Sequence, residues 1–149
     1  RCLNLVGHPE GEAGGVLLRA AEVLAGGDLA VARRGRDTGP KLLSGPGNLG
    51  QGLGITLEMG HAPVEIVAAP PEVSDDGGTP ARLAAPAAPA RFLLAPPAPR
   101  DPAEPPIEVV TGPRVGVSGE GGSVRFPWRF SVAGHRSVSA FRRGRNVPD

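Results

Sequence analysis

The chain has 149 residues, room for one domain of ~150 residues and not for a multidomain machine. Its 23 glycines and 18 prolines exceed a quarter of the sequence, a level at which low-complexity stretches are expected and tight packing over the full length is not. The formal net charge is +1, and no apolar run approaches the ~20 residues of a membrane-spanning helix, so strongly polyionic and helical transmembrane classes are excluded.

Taken in chain order, residues 2–6 and 15–24 read as two strands joined by the glycine-, proline- and histidine-rich loop 7–14. Asp28 is placed to cap a short helix running to about Arg36, with Leu29 and Ala32 on its inner face and Arg33, Arg34 and Arg36 toward solvent. Ser44-Gly45-Pro46 opens a second helix containing Leu49, Gln51 and Leu53, since serine and proline both favour a helix start. Glycines at 50, 52 and 54 weaken that helix in isolation.

From 63 to 106 the composition shifts to 12 prolines and 11 alanines in 44 residues. Proline lacks a backbone donor and fixes its own φ, so the segment is expected to be a flexible insertion without ladders or core. Order resumes with strands at 107–110, 112–117 and 126–132 and a short one at 138–141, ahead of a basic tail at 142–149. The fold class expected is α+β with a mostly antiparallel sheet and a few short helices. Four of the five aromatic residues, Phe126, Trp128, Phe130 and Phe141, lie in this last third.

Charge is uneven: residues 107–149 carry seven basic and three acidic groups. All seven are arginines, Arg114, Arg125, Arg129, Arg136, Arg142, Arg143 and Arg145, and a guanidinium fork matches phosphate oxygens. The bland alternative is a solvated surface and a frayed tail. Cys2 has no internal disulfide partner, and His8, His61 and His135 are too widely spaced for a local ligand set. A reducing compartment, no structural zinc and no metal or organic cofactor are expected. No charged-then-apolar leader opens the sequence, and its beginning at Arg1 with a strand pattern reads as a chain joined partway through a domain.

Gly45-Pro-Gly-Asn-Leu-Gly50 has dinucleotide-type glycine spacing, and Glu65 lies near the distance of a ribose-binding acid. The residues before it, Thr38-Gly-Pro-Lys41, are a loop rather than the strand such a site needs. A glycine-rich helix start facing a phosphate is the residual alternative. Ser118, in Gly116-Val-Ser-Gly-Glu120, lacks the setting of a nucleophile elbow. Glu12 and Glu120 sit in glycine-rich loops, where an exposed carboxylate is the default.

Five blocks in order resemble the alkyladenine (3-methyladenine) DNA glycosylases. They are Cys2-Leu-Asn-Leu-Val6, Gly15-Val-Leu-Leu-Arg-Ala20, Leu43-Ser-Gly-Pro-Gly-Asn-Leu-Gly-Gln-Gly-Leu-Gly-Ile55, Gly112-Pro-Arg-Val-Gly-Val117, and Pro127-Trp-Arg-Phe130 with Val138-Ser139. Each is weak alone, and their order makes them specific. The resemblance spans 1–62 and 107–149, skips the proline-rich segment, and leaves 142–149 unmatched.

The resemblance implies a monomeric repair enzyme with a curved antiparallel sheet, cytoplasmic and nucleoid-associated rather than secreted. Its partner is double-stranded DNA carrying a damaged purine, with no membrane involved. It flips that purine from the duplex and hydrolyses its glycosidic bond. Asn4 falls where the family places an asparagine that discriminates against the exocyclic amine of guanine. Arg19 matches an arginine near the flipped nucleotide, its phosphate and the attacking water. Val115 matches a residue whose main-chain groups contact base and water. Read without the family, these are a polar residue on a half-exposed strand, a solvent-facing arginine and a core strand valine. In the family, the water-activating glutamate, the aromatic and histidine pocket walls and the wedging tyrosine precede the segment matching Arg1. The 149 residues alone are therefore expected to be inactive, with a non-catalytic DNA-binding remnant as the alternative and a phosphate-binding module on Gly45–Gly50 as a weaker third.

Overall fold

The computed structural model describes residues 1–70, 91–97 and 99–148. It is an α+β chain with two helices and three two-stranded sheets, dividing into two compact units, Arg1–Arg100 and Asp101–Asp149.

In the first unit, β1 (Leu3–Val6) and β2 (Gly15–Leu18) form an antiparallel hairpin in which Leu3 pairs with Leu18 and Asn4 with Leu17. The second strand is shorter than the expected 15–24. β1 begins at Leu3, so residues after Leu18 have no ladder partner, and the Arg19 carbonyl instead accepts from the Gly45 N–H at 2.8 Å. Helix α1 (Gly27–Arg34) is framed by Gly26 and Gly35, both left-handed at φ 71° and 68°. Gly26 takes the cap position expected of Asp28, which falls in the first turn, where its charge favours the positive helix end. The inner face is also rotated: Ala30 is buried and Val31 packs on the core, whereas Ala32 is exposed.

Helix α2 (Pro46–Gly52) starts as the Gly45-Pro46 signal predicts. Two of its three glycines, Gly50 and Gly52, are there for packing. A Cβ on Gly50 would collide with the Arg1 carbonyl, and one on Gly52 with Leu43 Cδ2. Arg33 and Arg34, expected to face solvent, reach across to α2 and its approach. Arg33 donates to the Gly52 carbonyl (3.3 Å), and Arg34 to the Leu42 carbonyl (3.2 Å) and the Gln51 side chain (2.6 Å). The core lies between these helices and the hairpin: Ala30, Leu42, Leu43 and Leu49, flanked by Leu3, Leu18, Ala21, Val23 and Val31.

The proline-rich segment does contain a ladder, contrary to expectation. β3 (Val64–Ile66) and β4 (Phe92–Leu94) pair in parallel, because the runs 64–67 and 91–94 are locally proline-free and apolar enough to pair. The expected insertion at 71–90 lies outside the described residues. An exposed ion pair, Arg91 to Glu65 at 2.7 Å, spans the two strands. It holds the Glu65 carboxyl below its ordinary value through the guanidinium's hydrogen bond and charge. Because the folded-state value is depressed, the pair's stabilisation is present above the ordinary carboxylate value of 4.5 and is lost as pH falls through the lower folded value. Glu65→Gln is expected to speed amide exchange at Val67, which bonds the Leu94 carbonyl, at neutral pH. The effect should be small, as for exposed pairs generally, and should vanish in acid.

In the second unit, β5 (Val109–Gly112) and β6 (Arg129–Val132) form an antiparallel pair with Val109 opposite Val132 and Thr111 opposite Phe130. Both strands are displaced or shortened relative to expectation, because Pro113 and Pro127 lack the N–H that a continued ladder needs. Residues 114–117 and 138–141 are not strands: Val115 and Gly116 form a turn, with Gly116 left-handed at φ 70°. The aromatic residues do not fill a core. Trp128 and Phe130 are 60% and 69% exposed, and Phe126 meets Trp128 edge-on at 5.0 Å.

Candidate functional site

The hairpin carries two of the three sequence-predicted site residues, Asn4 on β1 and Arg19 directly after β2. Asn4 lies on β1, exposed, opposite Leu17, on the face away from the Leu3–Leu18 pair that packs on the core. Arg19 follows β2 directly, two positions after Leu17. Its backbone is pinned to Gly45 by the 2.8 Å bond from the start of α2. The Arg19 guanidinium and the Asn4 amide have no hydrogen-bond partner among the described residues, so both retain their full donor capacity for a ligand. A free fork on a fixed backbone is suited to a phosphate or a polarised oxygen.

Val115 belongs to the second unit. It sits in the turn after β5 rather than on a core strand, because Pro113 ends the ladder and Gly116 turns the chain. Neither its N–H nor its C=O has a partner among the described residues. An unpaired peptide group on a fixed turn can bond a base edge or a water.

Arg114, read from sequence as one of seven arginines suited to phosphate contacts, has an internal role instead. Its guanidinium donates to the Gly121 carbonyl at 2.8 Å and lies 5.2 Å from the Trp128 ring centroid, closing the loop that carries Val115. The signal was its position inside Gly112-Pro-Arg-Val115, between a helix-breaking proline and the turn. Other arginines of the basic end are also engaged: Arg125 with Glu120 at 3.0 Å, Arg129 over the Phe141 ring at 5.5 Å, and Arg143 on the Val147 carbonyl at 2.8 Å. Arg136, Arg142 and Arg145 have no side-chain partner among the described residues.

The tail after Phe141 is docked, not frayed. The Gly116 N–H donates to the Arg142 carbonyl at 2.9 Å and the Gly119 N–H to the Arg145 carbonyl at 3.0 Å. A cavity of about 310 Å³ lies between tail and loop, lined by Pro113, Ser123, Val124, Phe141, Val147 and Pro148.

The phosphate-cradle alternative at Gly45–Gly50 loses its motive, since Gly50 is required by the Arg1 carbonyl and the Asn48 amide is spent on the Ser44 carbonyl at 2.6 Å. Glu65, the candidate ribose acid, is paired with Arg91. Glu120 is paired with Arg125, and Ser118 is an exposed loop residue. Among the described residues no group of three or more His, Cys, Asp or Glu side chains is arranged to hold a metal, and no helix is long and apolar enough to cross a membrane.

A family model described as methylpurine-DNA glycosylase matches residues 1–136. Proteins named "Putative 3-methyladenine DNA glycosylase" are similar to this chain. One from Nocardia farcinica is 40% identical over 99% of the chain and 57% of the relative. One from Corynebacterium jeikeium is 39% identical over 99% and 60%, and one from Cutibacterium acnes 37% identical over 95% and 62%. The chain thus spans about three-fifths of the length of these curated relatives. No solved structure matches it.

Proposed function

Because the chain belongs to the methylpurine-DNA glycosylase family, we propose that it forms the DNA-facing part of an enzyme that excises alkylated purines from duplex DNA. The observation carrying this reading is the hairpin pair: an unpartnered asparagine on β1 beside an unpartnered arginine whose backbone is locked to α2. Double-stranded DNA with a damaged purine is the proposed substrate. Flipping such a base from the stack costs less where damage has already weakened pairing or stacking.

In the proposed reaction, as the family resemblance implies, Arg19 has the role of holding the flipped nucleotide's phosphate and the attacking water, and the peptide groups of Val115 have that of contacting a flipped base. The water adds to the anomeric carbon as the glycosidic bond breaks, and the base departs with the bonding electrons, most easily when alkylation has made it cationic. The water's proton needs an acceptor. None of the chain's glutamates is assigned that role. General-base assistance typically contributes ~10²–10⁴-fold, and the 149 residues by themselves are proposed to be nearly inactive.

Asn4 is proposed to test the base edge. Asn4→Ser should raise excision of guanine-type bases relative to adenine-type ones by about tenfold, the scale on which one altered pocket contact discriminates. An unchanged substrate profile would return Asn4 to an ordinary surface role. The reading as a whole is tested by incubating a protein of the relatives' length that carries this chain, and the 149-residue chain, with duplex DNA containing 3-methyladenine and measuring released base. Release by the former alone is expected. Salt-sensitive binding by both with no release would instead select a non-catalytic DNA-binding protein.

A further inference from the structure

Residues 141–148 run alongside the loop that follows Val115. We propose that residues 141–148 form a strap that positions the Val115 turn for the excision step, an inference that rests on the glycosylase reading of Val115.

Two main-chain bonds fasten the strap. Gly116 and Gly119, left-handed at φ 70° and 66°, turn their N–H groups onto the carbonyls of Arg142 and Arg145. Both bonds advance in the same chain direction, so strap and loop run side by side through Val117 and Ser118. The fit is close enough to require glycine. A Cβ at Gly144 would overlap the Val117 carbonyl, as would one at Gly122 on the opposite flank. Gly144 has no positive φ, so close approach alone selects it. Arg143 closes the strap on itself by donating to the Val147 carbonyl at 2.8 Å.

The loop so clamped begins at the one turn whose peptide groups the proposed reaction uses. Val115 is followed at once by Gly116, whose N–H the strap holds, and preceded by Arg114, which ties the loop to Gly121 at 2.8 Å. A depression of about 310 Å³ adjoins the strap, and the two main-chain bonds hold the strap alongside the loop.

Gly144→Ala in a protein of the relatives' length that carries this chain tests this. Amide exchange at Gly116 and Gly119 is expected to rise about tenfold, the equivalent of one lost hydrogen bond. Single-turnover excision of 3-methyladenine should fall about tenfold or more through misplacement of the turn, with the Kd for lesion duplex unchanged. Should that variant not fold, Arg143→Ala removes the side-chain bond to the Val147 carbonyl and should move both readouts the same way by less. Faster exchange with unchanged excision overturns the positioning role. Unchanged exchange overturns the docking itself. A parent protein that excises nothing sinks the glycosylase reading, and the positioning role with it, while the exchange result still decides whether the strap is docked.

Discussion

Arg19→Ala is expected to lower single-turnover excision by about 10²–10³-fold in a protein of the relatives' length, the usual cost of deleting one preorganised donor at a reacting centre. Stability should hardly change. The guanidinium has no partner among the described residues, and the bond that fixes this position, from the Gly45 N–H to the Arg19 carbonyl at 2.8 Å, survives the substitution. Chemical denaturation and excision measured on the same preparation separate the two effects. Equal excision by mutant and parent would remove Arg19 from the reaction. Arg19→Lys sharpens the test: a lysine keeps the charge but not the planar fork, so it should recover DNA affinity more fully than rate.

Leu49→Ala is expected to have the largest effect on folding. Leu49 is 1% exposed and sits with Leu43, Leu42 and Ala30 where α1, α2 and the hairpin meet. Truncating a buried leucine typically costs ~2–5 kcal/mol, the transfer of the lost methyls plus the cavity left behind. Few buried apolar side chains share that load here, and total stabilities are only ~5–15 kcal/mol for ordinary domains. The helical far-ultraviolet signal should therefore collapse at markedly lower urea concentration. Leu53, 40% exposed one turn later, provides the comparison: its truncation should move the midpoint far less. Similar shifts for the two leucines would mean that the core is placed wrongly.

Excision should respond to Leu49→Ala as well, for a reason that links fold to function. The start of α2 provides the donor that fixes Arg19, so loosening α2 frees the arginine's backbone. Where enough mutant remains folded, its rate per folded molecule should still be below the parent's.

The sequence by itself determined a good deal about this protein. The first hairpin and both helices follow from local signals, namely alternation at 2–6, Gly45-Pro46 at a helix start and apolar runs bounded by glycine and proline, whereas the strands expected at 107–110, 112–117 and 126–132 are shifted or shortened to β5 and β6. Asn4, Arg19 and Val115 enter as proposed site residues only through the order of five motifs, none of them compelling alone. Tertiary structure decided the rest. Whether Ala30 or Ala32 faces inward depends on the rotation of α1 against α2, which an eight-residue helix does not specify. The β3–β4 pair joins segments whose individual propensity was outweighed by the prolines around them, because ladder formation depends on a distant partner that no local window contains. Val115 ceased to be a core strand residue for the same reason: Gly116, Gly119 and Gly144 acquire their meaning from the approach of the strap to the loop. A glycine's lack of a side chain can be read anywhere in a sequence, but what comes close enough to need it is settled by the fold.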